Sequence, residues 1–327
     1  MISRTPLRVS FVGGGTDLPA FAETHGGAVL STTIDKYVYV VVTERFEDTI
    51  RVGYTKTEIV ERLDDLRHEL VRESLRAAGL SHRIEVVTIA DVPAEGTGLG
   101  SSSAVTVGVL NALFAYRGIR KSADDLAEEA SRIEIDVLGK PIGRQDQYAS
   151  AHGGLQVFRF GAGGEVLREP LVLPAAERAR LERNLLMFYT GRQRDAAGLL
   201  GEVGEQIARG DATLGILQQL RESALELVAA LRAGGGADDI GRALQRNWTL
   251  KRSLHPSVSN ANVDRVHDNA LRAGALGGKL LGAGGGGFLL LYAPEERHPQ
   301  VRAAVGGLRE LPFGFDSEGS RIVFSGR

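Results

Sequence analysis

Residues Pro93–Ala104, Pro-Ala-Glu-Gly-Thr-Gly-Leu-Gly-Ser-Ser-Ser-Ala, constrain this chain more than any other stretch. The run before them, His82–Ala90, is rich in Ile and Val. The run after them, Ala104–Tyr116, spaces Val105, Val109, Leu110, Leu113 and Phe114 as a helix does. The order is therefore strand, Gly-rich turn, helix. Gly96, Gly98 and Gly100, with Leu99 between the last two, let the backbone turn tightly and approach a ligand closely. Ser101, Ser102 and Ser103 fall where the first helical N–H groups lack intrahelical partners. Those groups and the helix dipole form an anion site, and the hydroxyls add hydrogen bonds or a Mg²⁺ ligand. A plain turn before a Ser-capped helix is the alternative. The clustering of these glycines and serines at one strand-to-helix junction weighs against it.

Two familiar phosphate motifs are excluded. A Walker A loop needs Lys directly after its second Gly, and no Lys lies between Lys56 and Lys121. The one clean G-x-G-x-x-G, Gly282–Gly287, follows a helix-like segment and precedes the strand-like Phe288–Tyr292. That reverses the Rossmann order and disfavours a dinucleotide oxidoreductase.

With 327 residues, 43% of them hydrophobic, two domains are more natural than one. A net charge of −2 supplies no general attraction for nucleic acid or an anionic membrane. The absence of Cys excludes disulfides, thiolate zinc sites and a Cys nucleophile. The longest apolar runs, Tyr37–Val42 and Phe288–Ala293, are strand-length. Gly13–Gly15 interrupts what would have to be the apolar region of a signal peptide. The expectation is a cytoplasmic protein, monomer or homodimer, with neither nucleic-acid nor membrane partners.

Along the chain, Leu7–Val12 reads as a strand ending in Gly13-Gly14-Gly15-Thr16-Asp17. Ala28–Thr33 and Tyr37–Thr43 read as a hairpin around Asp35-Lys36. Leu63–Ala78 and Ala123–Leu138 read as helices, the second capped by Ser122. Gly139–Gly154 reads as a loop segment. A boundary is expected across Pro174–Arg183, giving domains at residues 1–178 and 179–327. Strands and helices alternate in both halves, which reads as two α+β domains with a cleft between them.

Four further features carry candidate chemistry. Asp146 sits between glutamines in a small, turn-rich segment and can accept a hydroxyl proton or orient the hydroxyl; the alternative is a cap for a short helix at Gln147–Ala151. Glu134, paired with the serine loop, is a candidate Mg²⁺ ligand, since Mg²⁺ sites combine one or two carboxylates with phosphate oxygens. Arg8 with Gly13–Asp17 places polar groups at a strand terminus, where a type I turn is the alternative. Lys279–Gly287 offers backbone N–H groups or close packing. The His residues show no metal spacing, and no G-x-S-x-G element is present.

Three of these segments occur in the order of the GHMP kinase superfamily, which the chain resembles. Arg8-Val9-x-x-x-Gly13-x-x-Thr16-Asp17 is similar to its N-terminal substrate motif, Gly98–Ala104 to its ATP-phosphate loop, and Lys279–Phe288 to its C-terminal glycine motif. Phe11–Leu18, Val29–Tyr37, Gly143–Gly154 and Leu276–Phe288 most resemble the branch that acts on heptose 7-phosphate. The resemblance implies ATP with Mg²⁺, an N-terminal domain with a left-handed β-α-β unit, a ferredoxin-like C-terminal domain, and a sugar phosphate substrate. It implies that Ser102 and Glu134 hold Mg²⁺, that Asp146 is the catalytic acid–base group with Arg8 beside it, and that Gly14, Gly15, Thr16, Asp17, Gly284 and Gly285 line the substrate. Where galactokinase-like sequences carry Glu-His, this chain has Gly14-Gly15, which removes bulk and a negative charge from the far end of the sugar. Arg192 and Arg194 are candidates for a phosphate there; two solvated loop arginines are the alternative. A free-hexose kinase, acting on fucose or mannose, and a non-catalytic sugar and ATP sensor are the competing functions.

Overall fold

The computed structural model describes residues 1–93, 96–191, 196–210 and 212–326. The chain is organised by one long strand. Strand β1 (Ile2–Val12) leads through helix α1 (Pro19–His25) into β2 (Gly27–Glu44), and β2 pairs antiparallel with β1 along most of its length. No hairpin forms at Asp35-Lys36. The pairing instead passes from Pro6–Tyr37 to Leu7–Ile34, so residues 35 and 36 form a bulge in a continuous strand. A tight hairpin there would need positive φ at its central residues, which Asp-Lys does not favour.

Next come β3 (Ile50–Gly53), β4 (Thr57–Val60), α2 (Glu69–Ala77) and β5 (Ile84–Ala90). The helix expected over Leu63–Ala78 is broken: a 3₁₀ turn at Leu63–Asp65 precedes α2, whose first turn is capped by the His68 ring. β3 and β5 run parallel, joined through α2, while β2 and β5 are antiparallel, so the sheet is mixed. Helix α3 (Ser101–Tyr116) is buried on nearly every face, as its continuously apolar sequence requires, and packs on β1 and β2. Helix α4 (Ala123–Ser131) begins with a Ser122/Asp125 capping box and passes into a π-helical turn at Arg132–Val137. The segment expected as a loop contains α5 (Gln145–His152); β6 (Gln156–Phe160) and β7 (Val166–Pro170) follow.

The expected boundary at Pro174–Arg183 is helix α6 (Ala175–Asn184), with Pro174 preceding its first turn, where a fixed φ favours helix entry. The chain then forms β8 (Leu185–Tyr189), α7 (Ala196–Ala208), α8 (Ala212–Arg232), α9 (Ala237–Arg252), α10 (Ala261–Arg272), β9 (Gly277–Leu280), β10 (Phe288–Tyr292), α11 (His298–Ala304) and β11 (Arg309–Glu310). The second sheet has the order β11-β8-β10-β9 with every pair antiparallel, the ferredoxin-like order. Finally β12 (Phe315–Asp316) pairs with β2, and β13 (Arg321–Phe324) with β1. The chain end thus returns to the first sheet, which a division at residue 178 does not anticipate. Two apolar clusters result, the second built around Trp248, Phe188 and Leu289. Among the described residues no helix is long and apolar enough to cross a membrane.

Candidate active site

The Gly-rich loop lies where the two sheets meet. Gly98 has φ +76°, and a Cβ on it would stand 2.3 Å from the Leu281 carbonyl oxygen. A Cβ on Gly282 would stand 2.5 Å from Gly98 Cα, and the Phe288 amide donates to Thr97 O at 3.1 Å. The C-terminal glycine run therefore packs backbone to backbone on the loop that precedes α3. Gly284 and Gly285 face the 3₁₀ turn Pro256–Val258: the Gly285 amide donates to Val258 O at 2.8 Å, so that amide is already engaged. Gly100 takes φ +74° and begins α3 with no side-chain cap, leaving the helix N-terminus to other acceptors. Leu99 is buried; Thr97 Oγ1 and Ser101 Oγ are 3.1 Å apart.

Arg8 and Asp146 meet beside this N-terminus. Arg8 Nε donates to Asp146 Oδ1 at 2.7 Å and Nη2 to Oδ2 at 2.6 Å, a fork-to-fork pair. Arg8 Nη1 donates to Gly98 O at 2.6 Å, and the Arg8 amide donates to Leu99 O at 3.0 Å. One side chain thus ties the loop to the carboxylate. A Cβ on Gly100 would stand 3.3 Å from Asp146 Oδ2, so the carboxylate lies against the uncapped start of α3. Asp146 lies in the first turn of α5 and Arg144 is the residue preceding that helix, so the capping alternative for Asp146 does not hold.

Asp17 is buried and accepts from the Gly15 amide at 3.0 Å, Gln145 Nε2 at 2.9 Å and the Gln145 amide at 3.2 Å. Burial and the nearby Asp146 charge raise its pKa. The Thr16 hydroxyl donates to the carbonyls of Gly13 and Ala28, at 2.8 and 3.1 Å. Beside Gly14, a Cβ would meet Ser10 Oγ at 3.3 Å and Gln145 Nε2 at 3.7 Å, so space there is bounded by two polar side chains; Gly15 faces Leu217. Arg192 and Arg194 lie outside the described residues.

The π-helical turn after α4 turns Ile133 and Glu134 inward, both fully buried. Glu134 Oε2 accepts from Ser102 Oγ at 3.4 Å and Ser103 Oγ at 3.3 Å, and Oε1 accepts from Gln147 Nε2 at 3.2 Å. Burial pushes the Glu134 carboxyl up to about 7. Below about pH 4.5 its contribution to stability is full; it is lost as pH rises through about 7. Denaturant unfolding from pH 5 to 8 should show the native chain losing stability relative to Glu134→Gln. Parallel pH profiles for the two proteins would contradict this placement. A buried carboxylate and a hydroxyl are hard oxygen donors of the kind Mg²⁺ takes. Among the described residues no group of three or more His, Asp or Glu is placed to hold a metal unaided. An ion here would need oxygens from a bound phosphate.

Three side chains at the site are absent from the sequence expectations: Lys251, Gln145 and Gln147. Lys251 had a readable signal, because it continues the apolar stripe Ile240, Leu244, Trp248 of α9. The glutamines gave none beyond flanking Asp146. Lys279 was expected only as part of a glycine motif. Its buried Nζ donates to Ser10 O at 2.9 Å and Phe11 O at 3.3 Å, tying β9 to β1.

Two family profiles match the chain: "GHMP kinases N terminal domain" over residues 65–154 and "GHMP kinases C terminal" over residues 224–307. The chain is 28% identical over 322 residues to the D-glycero-α-D-manno-heptose 7-phosphate kinase of Campylobacter jejuni, with 92% of each chain covered. It is 28% identical over 331 residues to an L-fucokinase/L-fucose-1-P guanylyltransferase of Bacteroides fragilis; that match takes in 89% of this chain but 34% of the longer protein. A crystal structure of a D-glycero-D-manno-heptose 1-phosphate kinase from Bacteroides thetaiotaomicron shares the fold, with TM-score 0.78, 24% identity and 99% of both chains covered.

Proposed function

Because this chain belongs to the GHMP kinases and is an ATP-dependent sugar kinase, we propose that it phosphorylates the anomeric hydroxyl of D-glycero-D-manno-heptose 7-phosphate. The observation that carries the chemistry is the Asp146 carboxylate, gripped by Arg8 against the uncapped start of α3. Phosphoryl transfer needs mainly positioning and charge stabilisation. The loop Gly96–Ser103 and the first turn of α3 hold the nucleotide phosphates. Asp146 orients the acceptor hydroxyl and takes its proton, while Arg8 keeps the carboxylate in place. Asp17, fixed by Gln145, binds a sugar hydroxyl.

The substrate reading is supported by end-to-end similarity to a heptose 7-phosphate kinase and by the absence of an acidic side chain at Gly14. A carboxylate 4 Å from a substrate phosphate would cost about 4 kcal/mol at an effective dielectric of 20. The expected result is a kcat/KM for heptose 7-phosphate at least roughly tenfold above that for free mannose, fucose or galactose. Equal turnover of a free hexose would favour the fucokinase-like alternative, which the Bacteroides relative supports.

Mg²⁺ fits the oxygen donors Ser102 and Glu134 and would neutralise phosphate charge when bound. The Glu134→Gln variant should then need more Mg²⁺ for half-maximal rate. An unchanged requirement would remove Glu134 from the metal.

A further inference from the structure

Helix α9 delivers an ammonium where its pattern calls for an apolar side chain. Ile240, Leu244 and Trp248 are fully buried, and Lys251, the next residue on that stripe, is 6% exposed. Its Nζ donates to the Gly282 carbonyl, and among the described residues it makes no ion pair. Gly282 is the residue packed on Gly98, whose carbonyl receives Arg8. The charges facing Lys251 from other elements are Arg8 on β1, Asp17 in the loop that follows, Asp146 on α5 and Lys279 on β9. Both carboxylates are engaged, Asp146 by Arg8 and Asp17 by Gln145.

Burying an ammonium costs several kcal/mol unless an opposite charge compensates it. Here burial and the Arg8 charge lower the lysine pKa to about 8. An apolar residue would continue the stripe at no such cost. The ammonium is therefore explained by an anion that arrives with the ligand, and its position selects which one. It stands at the Gly98–Gly282 junction, within the electrostatic reach of Arg8 and Asp146. A 7-phosphate would lie at the opposite end of the sugar.

We infer that Lys251 is a further catalytic residue of the phosphoryl transfer, contacting a non-bridging oxygen of the group in flight. This rests on the reading that ATP is the donor at the α3 N-terminus. The acceptor oxygen bonds to the γ-phosphorus as the bond from that phosphorus to the β–γ bridging oxygen breaks. The electron pair leaves with ADP, and the hydroxyl proton passes to Asp146. Lys251 exchanges no atom; it places positive charge beside the equatorial oxygens.

The test compares Lys251→Met and Lys251→Arg with the native chain. Lys251→Met keeps length and burial. It should lower kcat by roughly 10²–10³ and raise KM for ATP by roughly tenfold, while leaving KM for the sugar within about threefold. The native kcat/KM should fall above about pH 8, and this limb should be missing in Lys251→Met. A kcat within about threefold of native, or a raised KM for the phosphorylated sugar with kcat kept, would overturn the inference. A second readout needs neither a folded Met variant nor the right sugar. In isotope-labelled lysine NMR, the Lys251 signal, assigned by its loss in Lys251→Arg, should titrate near pH 8 in the free protein. With Mg²⁺ and a non-hydrolysable ATP analogue it should titrate higher by about one pH unit or more. An unmoved titration overturns the inference. A moved titration with no turnover of heptose 7-phosphate supports Lys251 and counts only against the sugar assignment.

Discussion

Replacing Asp146 with Asn is expected to lower kcat by roughly 10²–10⁴ while leaving the fold and ATP affinity nearly unchanged. The amide keeps the size of the carboxylate and one acceptor oxygen. It loses the charge and the ability to take a proton. Arg8 keeps its bond to Gly98 O, so the loop remains tied to β1. The second half of the fork, Arg8 Nη2 to Oδ2 or Nε to Oδ1, is lost. Asp146 is partly open to solvent, with 23% of its side chain exposed, so the stability loss should stay near ~1–2 kcal/mol. Steady-state kinetics, with denaturant unfolding as the control for folding, checks this. A folded Asp146→Asn protein with near-native kcat would take Asp146 out of the mechanism and leave its bond to Arg8 a structural one.

A single methyl group at Gly98 should do comparable damage by another route. The alanine Cβ would stand 2.3 Å from Leu281 O and 2.6 Å from Leu281 C, both backbone atoms of the other sheet's connection. Neither sheet can yield without moving the start of α3. The expected loss is about 2–4 kcal/mol of stability, together with at least roughly tenfold in kcat/KM for ATP. Gly118 supplies the control. It has a similar φ of +73°, yet a Cβ there meets nothing within 4 Å. Gly118→Ala should cost only the left-handed backbone term, about 1–2 kcal/mol, with activity kept. If denaturation and kinetics put the two variants on a par, close packing between the domains is not why Gly98 is glycine.

These expectations draw on different depths of sequence information. The phosphate loop was legible because its message is local: glycines, serines and a following apolar helix all lie within one short stretch. Arg8 and Asp146 were each legible as candidates, but their fork is a contact across 138 residues that no local pattern encodes. The role of Gly282 was half legible, since the order of the flanking elements disfavours a dinucleotide fingerprint without showing that Gly98 is its packing partner. Elements failed where tertiary pairing overrode local chemistry. Asp35-Lys36 resembles a turn, but β1 pairs on both sides of it and keeps β2 continuous. Glu134 was legible only as a carboxylate that could pair with the serine loop; the π-helical turn that turns it inward leaves no signature in composition. The return of β12 and β13 to the first sheet was invisible for the same reason: a strand edge is completed by residues far away in the chain.

The central claim is tested most directly by phosphorus NMR of the product formed from ATP, Mg²⁺ and D-glycero-D-manno-heptose 7-phosphate. The account predicts ADP and a second, anomeric phosphate signal on the heptose, in equal amounts, with the original 7-phosphate signal retained. ADP release without a new anomeric signal, or an anomeric signal formed as readily on free fucose or mannose, would contradict it.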